Sequence, residues 1–149
     1  MDLILGIDPG ISGSAVLLSK DKKFIQYLIF KKCPSSEIVN WLSHHKPEIK
    51  TALIEKVHAF PAQGVTGVFT FGQNYGWWLG VLGALGISYR RVYPLKWQTM
   101  MGCRTGGNKN ITKLKAQKIF PKIKVTHAIA DALLIAEHGR RNETGWADL

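Results

Sequence analysis

Residues 3–19 run Leu-Ile-Leu-Gly-Ile-Asp-Pro-Gly-Ile-Ser-Gly-Ser-Ala-Val-Leu-Leu-Ser, two apolar stretches joined by a turn-forming segment that opens on an acid. The first reads as a buried strand ending at Asp8, and Pro9-Gly10 as the turn that hairpins the second strand onto it. A carboxylate at the edge of a hydrophobic strand is costly unless something cationic sits beside it. Two more acids stand in similar places: Glu55 closes Thr51-Ala52-Leu53-Ile54, and Asp131 lies inside the helical-looking run from Ala128 to Ala136. Three acids set in apolar elements far apart in sequence predict one divalent-metal site.

The rest of the pattern predicts an α/β fold, a five-stranded mixed sheet flanked by helices. Residues 3–8, 13–19 and 24–31 form an antiparallel meander, followed by a helix from Ser35 or Ser36 to His45 that Pro47 ends. Residues 51–57 are a continuous apolar strand suited to the sheet centre, and 87–93 a fifth strand. Between them a helix spans about 65–85, with glycine at 67, 72, 76, 80 and 83. Each glycine weakens an isolated helix by up to about 1 kcal/mol, which makes sense mainly where another backbone packs closely, within the chain or in a dimer. Pro94 opens a short helical turn around Lys96 and Trp97, residues 104–108 form a basic loop, and helices at 111–119 and 127–140 precede a frayed tail over 142–149. With 149 residues the chain suits a single domain over its whole length. Strands one and four can then lie side by side, bringing Asp8 and Glu55 to one end of the sheet.

Charge narrows the partner. The formal net charge is +10, and from Lys56 to Ala130 there is no Asp or Glu at all, while Arg90, Arg91, Lys96, Arg104, Lys109, Lys113, Lys115, Lys118, Lys122 and Lys124 fall in that stretch. A surface that was basic only for solubility would not need every acid removed, so the pattern favours a phosphate-backbone partner. Cys33 and Cys103 are too few for a disulfide framework and lack paired metal-ligand spacing, so both read as reduced structural thiols. With no signal-peptide pattern and no apolar run of the roughly 18 residues that a spanning helix needs, the expected location is the cytoplasm, away from membranes.

On the last helix His127 and Asp131 stand four residues apart and share a face. With Asp8 and Glu55 they make a four-ligand set able to hold two divalent ions about 3.5–4 Å apart, an arrangement that hydrolyses phosphodiesters. Carboxylates suit Mg²⁺ or Mn²⁺, and the imidazole leans toward Mn²⁺. Plainer roles remain open for three of the four: Asp8 as a turn former, Glu55 paired with Lys56 or another base, His127 as a helix-start residue; Asp131 amid apolar residues is harder to dismiss. His58 and Phe60, just beyond Glu55, can stack on an unpaired base, and a place in the core serves Phe60 equally well.

Taken in order, the segments Ile4-Leu5-Gly6-Ile7-Asp8-Pro9-Gly10, Ala52-Leu53-Ile54-Glu55, Gln63-Gly64-Val65 to Tyr75-Gly76, Pro94-Leu95-Lys96-Trp97, Asn108-Lys109 and His127 to Ala136 resemble the RuvC family of Holliday junction resolvases, in its short bacterial or phage-type branch. The resemblance implies an RNase H-like fold. It matches Asp8, Glu55 and Asp131 to the family's metal-binding carboxylates, and Lys109 to a catalytic-loop lysine that approaches the scissile phosphate. At His127 many members carry a fourth Asp, although His also occurs there. Also implied are a homodimer, with the glycine-rich helix over 65–85 as its interface, and paired symmetric nicks across a four-way DNA junction. Arg104, Lys109, Lys113, Lys115 and Lys118, with His58 and Phe60, are the expected DNA contacts. Two other activities suit the same features: an RNase H-like nuclease for RNA or RNA–DNA hybrids, and a junction-binding protein without catalysis. A sugar or nucleotide kinase is disfavoured, since the chain is too short for two actin-like lobes.

Overall fold

The computed structural model describes residues 1–142. Five strands, β1 (Leu3–Asp8), β2 (Ser14–Ser19), β3 (Ile25–Ile29), β4 (Ile49–Glu55) and β5 (Tyr89–Val92), and five helices, α1 (Ser35–His45), α2 (Val65–Ala84), α3 (Pro94–Met100), α4 (Lys109–Ile119) and α5 (His127–Asn142), make up the ordered framework. The sheet order is β3-β2-β1-β4-β5. The first three strands are an antiparallel meander, and β4 and β5 run parallel to β1.

Both faces of the sheet are covered, which explains why β1 and β4 carry unbroken apolar runs. On one face Ile4, Val16, Leu18 and Leu53 pack beneath Ile129, Leu133 and Ala136 of α5, with Trp97 of α3 and Ala116 of α4. On the other, Leu5, Ile7, Leu17 and Ile54 meet Ile38 and Leu42 of α1 and Trp78 and Leu82 of α2. Gly6 permits a close approach of helix to strand: a Cβ there would lie 2.5 Å from Ala132 O and 2.5 Å from Ala136 N. That contact seats α5 across β1. Since α5 starts at His127, its first turn then overhangs the C-terminal end of β1, where Asp8 sits.

The element boundaries differ from the sequence reading for local reasons. β3 stops at Ile29 because Phe30–Lys32 tightens into a 3-10 turn. β4 begins two residues early, since a 3-10 turn over Lys46–Glu48 delivers Ile49 directly beside Leu3. Lys56 and Val57 fall outside the strand. β5 is shorter at both ends than expected. Lys109, expected in a loop, is the first residue of α4, behind an Asn108 cap whose Oδ1 accepts from Asn110 N at 3.0 Å. α5 runs on to Asn142, whose side-chain amide donates to His138 O at 2.7 Å, so the expected tail does not begin there; residues 143–149 lie outside the described part.

The expectation of a backbone packed against the glycines of α2 is not met within the protomer. A Cβ at Gly67, Gly72, Gly76, Gly80 or Gly83 would meet nothing within 4 Å. Cys103 is buried and Cys33 half-buried, both free thiols. No helix among the described residues is long and apolar enough to cross a membrane.

Candidate metal and nucleic-acid site

The C-terminal ends of β1 and β4 present Asp8 and Glu55 on the sheet face that α5 covers. Leu53 and Ile4 share that face, and side chains alternate along a strand. The turn beyond Asp8 is tightly made. Asp8 Oδ1 accepts from Gly10 N at 3.2 Å, Gly13 N donates to Gly10 O at 2.9 Å, and the Asn74 amide of α2 reaches back to Pro9 O. A Cβ at Gly13 would collide with Asp8 O. Asp8 thus serves the turn through one carboxylate oxygen.

Asp8, Glu55 and Asp131 are gathered by the fold into one electrostatic neighbourhood. Burial first, then the Asp131 charge, pushes Asp8 up to about 6. Burial first, then Asp8, pushes Glu55 up to about 8. Burial also raises Asp131, against the nearby Thr112 hydroxyl and the charges of Lys109 and His127. Lys109, exposed at the start of α4, favours the ionised forms of both Asp8 and Asp131. His127, at the exposed start of α5, contributes to Asp131 in the same sense.

Two residues that the sequence reading did not single out as functional act on these acids. Trp97, fully buried in α3, donates its indole N–H to Glu55 Oε2 at 2.8 Å. Thr112, buried in α4, donates its hydroxyl to Lys109 O at 3.2 Å and lies near enough to Asp131 to lower its pKa. Inside amphipathic helices an indole and a threonine read as core, and only the packing of α3 and α4 shows where their polar atoms go. Ser14 faces Asp8 across the β1–β2 pair, and its hydroxyl is buried with no protein partner.

The pairing of Glu55 with Lys56 and a core place for Phe60 do not hold. Lys56 Nζ bonds the Tyr93 hydroxyl at 2.8 Å and lies 4.7 Å from that ring's centroid, directed to Tyr93 and not to Glu55. Phe60 is 58% exposed, so it is not a core residue; its ring sits 4.5 Å from that of His58. Arg104 and Lys118 are exposed, and Lys113 and Lys115 partly so, the last three along α4 behind Lys109.

Half-buried carboxylates that raise one another's pKa, with one lysine for counter-charge and an unpartnered hydroxyl alongside, are oxygen donors whose chemistry suits a hard divalent cation. Among the described residues, no three His, Cys, Asp or Glu side chains close around a point as ligands. Asp8 and Glu55 instead turn to local donors, Gly10 N and the Trp97 indole.

No family model matches the sequence, and no curated protein is significantly similar to it. Solved structures do match. RuvC of Thermus thermophilus superposes with a TM-score of 0.62 at 17% identity, covering 93% of this chain and 95% of that one. The same organism's RuvC in complex with a Holliday junction substrate gives a TM-score of 0.59 at 18% identity, covering 95% and 96%. At such identity the likeness is one of fold, and over nearly its whole length the chain has the RuvC-like, RNase H-like α/β fold.

Proposed function

We propose that the protein is a divalent-metal-dependent endonuclease that resolves Holliday junctions and other branched DNA. The observation that carries this reading is the trio of half-buried, mutually repelling carboxylates, two at the C-terminal ends of β1 and β4 and one in the first turns of α5. Support for the substrate comes from the acid-free stretch 56–130 and from the fold shared with a RuvC that was solved with a Holliday junction.

Asp8, Glu55 and Asp131, with His127 adjoining, would hold Mg²⁺ or Mn²⁺. Two bound ions supply activation of the attacking water and stabilisation of the leaving oxygen. Lys109 stabilises negative charge developing on the phosphate, for which its position beside Asp8 and Asp131 suits it. Trp97 fixes the orientation of Glu55 and leaves Oε1 free to act as a ligand. Arg104, Lys113, Lys115 and Lys118 bind the DNA backbone. α2 forms the homodimer interface. Its glycines 76 and 80 are exposed, as are Val65 at 86% and Phe69 at 66%, so a second helix can approach closely. Two sites so paired would nick strands of like polarity symmetrically.

The experiment is a substrate panel: a labelled four-way junction, a linear duplex of the same sequence and an RNA–DNA hybrid, each with Mg²⁺ or Mn²⁺, cut by wild type and Asp8→Asn. Paired nicks on the junction alone, lost in the variant, are the expected result. Cleavage of the hybrid in preference to the junction would replace this reading with an RNase H-like one, and tight junction binding without cleavage in either ion would leave a non-catalytic binder.

A further inference from the structure

β3 is the last strand on its side of the sheet, so its outer row of backbone groups has no strand beside it. We propose that this edge is a docking site for an extended, acid-flanked peptide segment of another protein, which adds to the sheet as a sixth strand. It lies away from the metal centre and is independent of the nucleic acid cut there.

The ladder determines what the edge offers. Ser19 N donates to Phe24 O at 3.0 Å and Phe30 N to Gly13 O at 3.2 Å, so every second residue from Phe24 to Phe30 faces β2. Ile25, Tyr27 and Ile29, which alternate with them, turn N–H and C=O to the open side. Ile25 and Ile29 pack against the core beneath α5, and Tyr27, on the same face, is 42% exposed. Beside them an open groove of about 590 Å³ runs between β3 and the α4–α5 connection, lined also by Ile119, Phe120, Pro121 and Ile123. Soluble proteins commonly guard a sheet edge with a charge, a proline or a bulge inside the strand. β3, Ile-Gln-Tyr-Leu-Ile, has none of these, and its register with β2 is unbroken.

Charge selects the occupant. Exposed Lys22 and Lys23 stand just before β3, exposed Lys31 and Lys32 just after it, and Lys122 lines the groove. The acid on the lining, Asp21, is already engaged, its carboxylate accepting from Ser19 Oγ at 2.7 Å and Lys23 N at 3.0 Å. Two copies of β3 laid edge to edge, in either direction, would set lysines against lysines, which disfavours self-pairing. A nucleic-acid backbone has the right charge but cannot continue the ladder or fill an apolar groove. An extended peptide with apolar residues at alternate positions and acids at both ends meets the free N–H and C=O groups, the apolar lining and the basic ends together. Its place leaves the reaction open. Ile25 is level with Leu18 and Ile4, two strands out and four residues back from Asp8, about 16 Å away. α4 likewise begins at Lys109, beside the acids, and ends at Ile119, on the groove. A partner seated here accompanies the protein without covering Asp8, Glu55 or Asp131.

The probe is a fluorescein-labelled peptide with two aspartates at each end of Val-Thr-Val-Thr-Val, titrated against the full chain by fluorescence anisotropy. Saturable binding is expected, about tenfold or more weaker when lysines replace the aspartates, or when N-methyl groups on one alternate set of residues remove the donors that face β3; methylating the other set should matter far less. Amide exchange followed by NMR should slow about tenfold or more at Ile25, Tyr27 and Ile29 on saturation. Lys22→Glu with Lys23→Glu should weaken binding by a similar factor, and Tyr27→Pro, which removes an outward donor but no bond to β2, should abolish it, with unchanged melting curves as the control for folding. No binding of the aspartate peptide, equal binding of the lysine peptide, indifference to N-methylation of either set, or protection of other amides alone would overturn the inference. Displacement of the bound peptide by a four-way junction without divalent ion would give the edge to DNA, and higher-order self-association lost in Tyr27→Pro would give it to a second copy; either result contradicts it.

Discussion

Asp131 and Glu137 lie on the same helix among apolar neighbours, yet their surroundings differ in kind. Glu137 is fully buried and held by Arg140 at 2.6 Å and Arg141 at 2.7 Å, bonds that outweigh burial and lower its pKa. Asp131 has a hydroxyl and more distant cations, which do not outweigh burial. The first is a completed ion pair, and the second keeps a raised pKa. The consequence for pH follows. Asp8 and Glu55 reach about 6 and 8 in the folded protein from 3.8 and 4.5, so the unfolded chain releases those protons at lower pH than the folded one does. The chelator-treated protein should therefore lose stability as pH rises from about 4 to about 8, by on the order of a few kcal/mol. Urea midpoints at pH 5 and pH 8 would measure it. Asp8→Asn should shrink the difference, and Mn²⁺ should restore the midpoint at pH 8. Trp97→Phe keeps a buried ring but removes the donor to Glu55; it should cost about 1–2 kcal/mol of stability, weaken Mn²⁺ binding in a calorimetric titration and slow junction cleavage about tenfold. The three acids were legible in the sequence because an acid inside an apolar run is conspicuous. Trp97 was not, because an indole in such a run is ordinary and its N–H declares itself only through α3 packing.

At the scale of elements, α5 on β1 is the contact that builds the site. Gly6→Ala would drive a methyl into Ala132 O and Ala136 N, backbone atoms that cannot turn aside. The substitution should cost at least about 3 kcal/mol, read by urea unfolding, and any folded fraction should bind Mn²⁺ poorly because Asp131 is displaced from Asp8. The order of strands and helices could be read from apolar periodicity and turns. The ends of β3, β4 and β5 could not, since 3-10 turns and sheet pairing set them. α2 gives a prediction with opposite signs. Gly76→Ala with Gly80→Ala adds methyls to open space within the protomer and should stabilise the helix by about 1 kcal/mol per site. The same methyls should shift a dimer built on that face toward monomer, which sedimentation equilibrium would show. A variant that melts higher and remains dimeric would place the interface elsewhere.

For the molecule as a whole, the account joins an acidic centre to a basic half-chain: residues 56–130 carry no acid, and the three carboxylates come from outside that stretch. The fold brings the two together by laying α4, with Lys109 at its start, beside α5. The central claim is that Asp8, Glu55 and Asp131 form one divalent-metal centre. Anomalous diffraction from crystals grown with Mn²⁺ tests it most directly. The account predicts a strong anomalous peak within ligand distance of Asp8 and Asp131, with Glu55 at that peak or at a second one beside it, and its loss in Asp131→Asn; ordered crystals at millimolar Mn²⁺ showing no peak among these three side chains would contradict it.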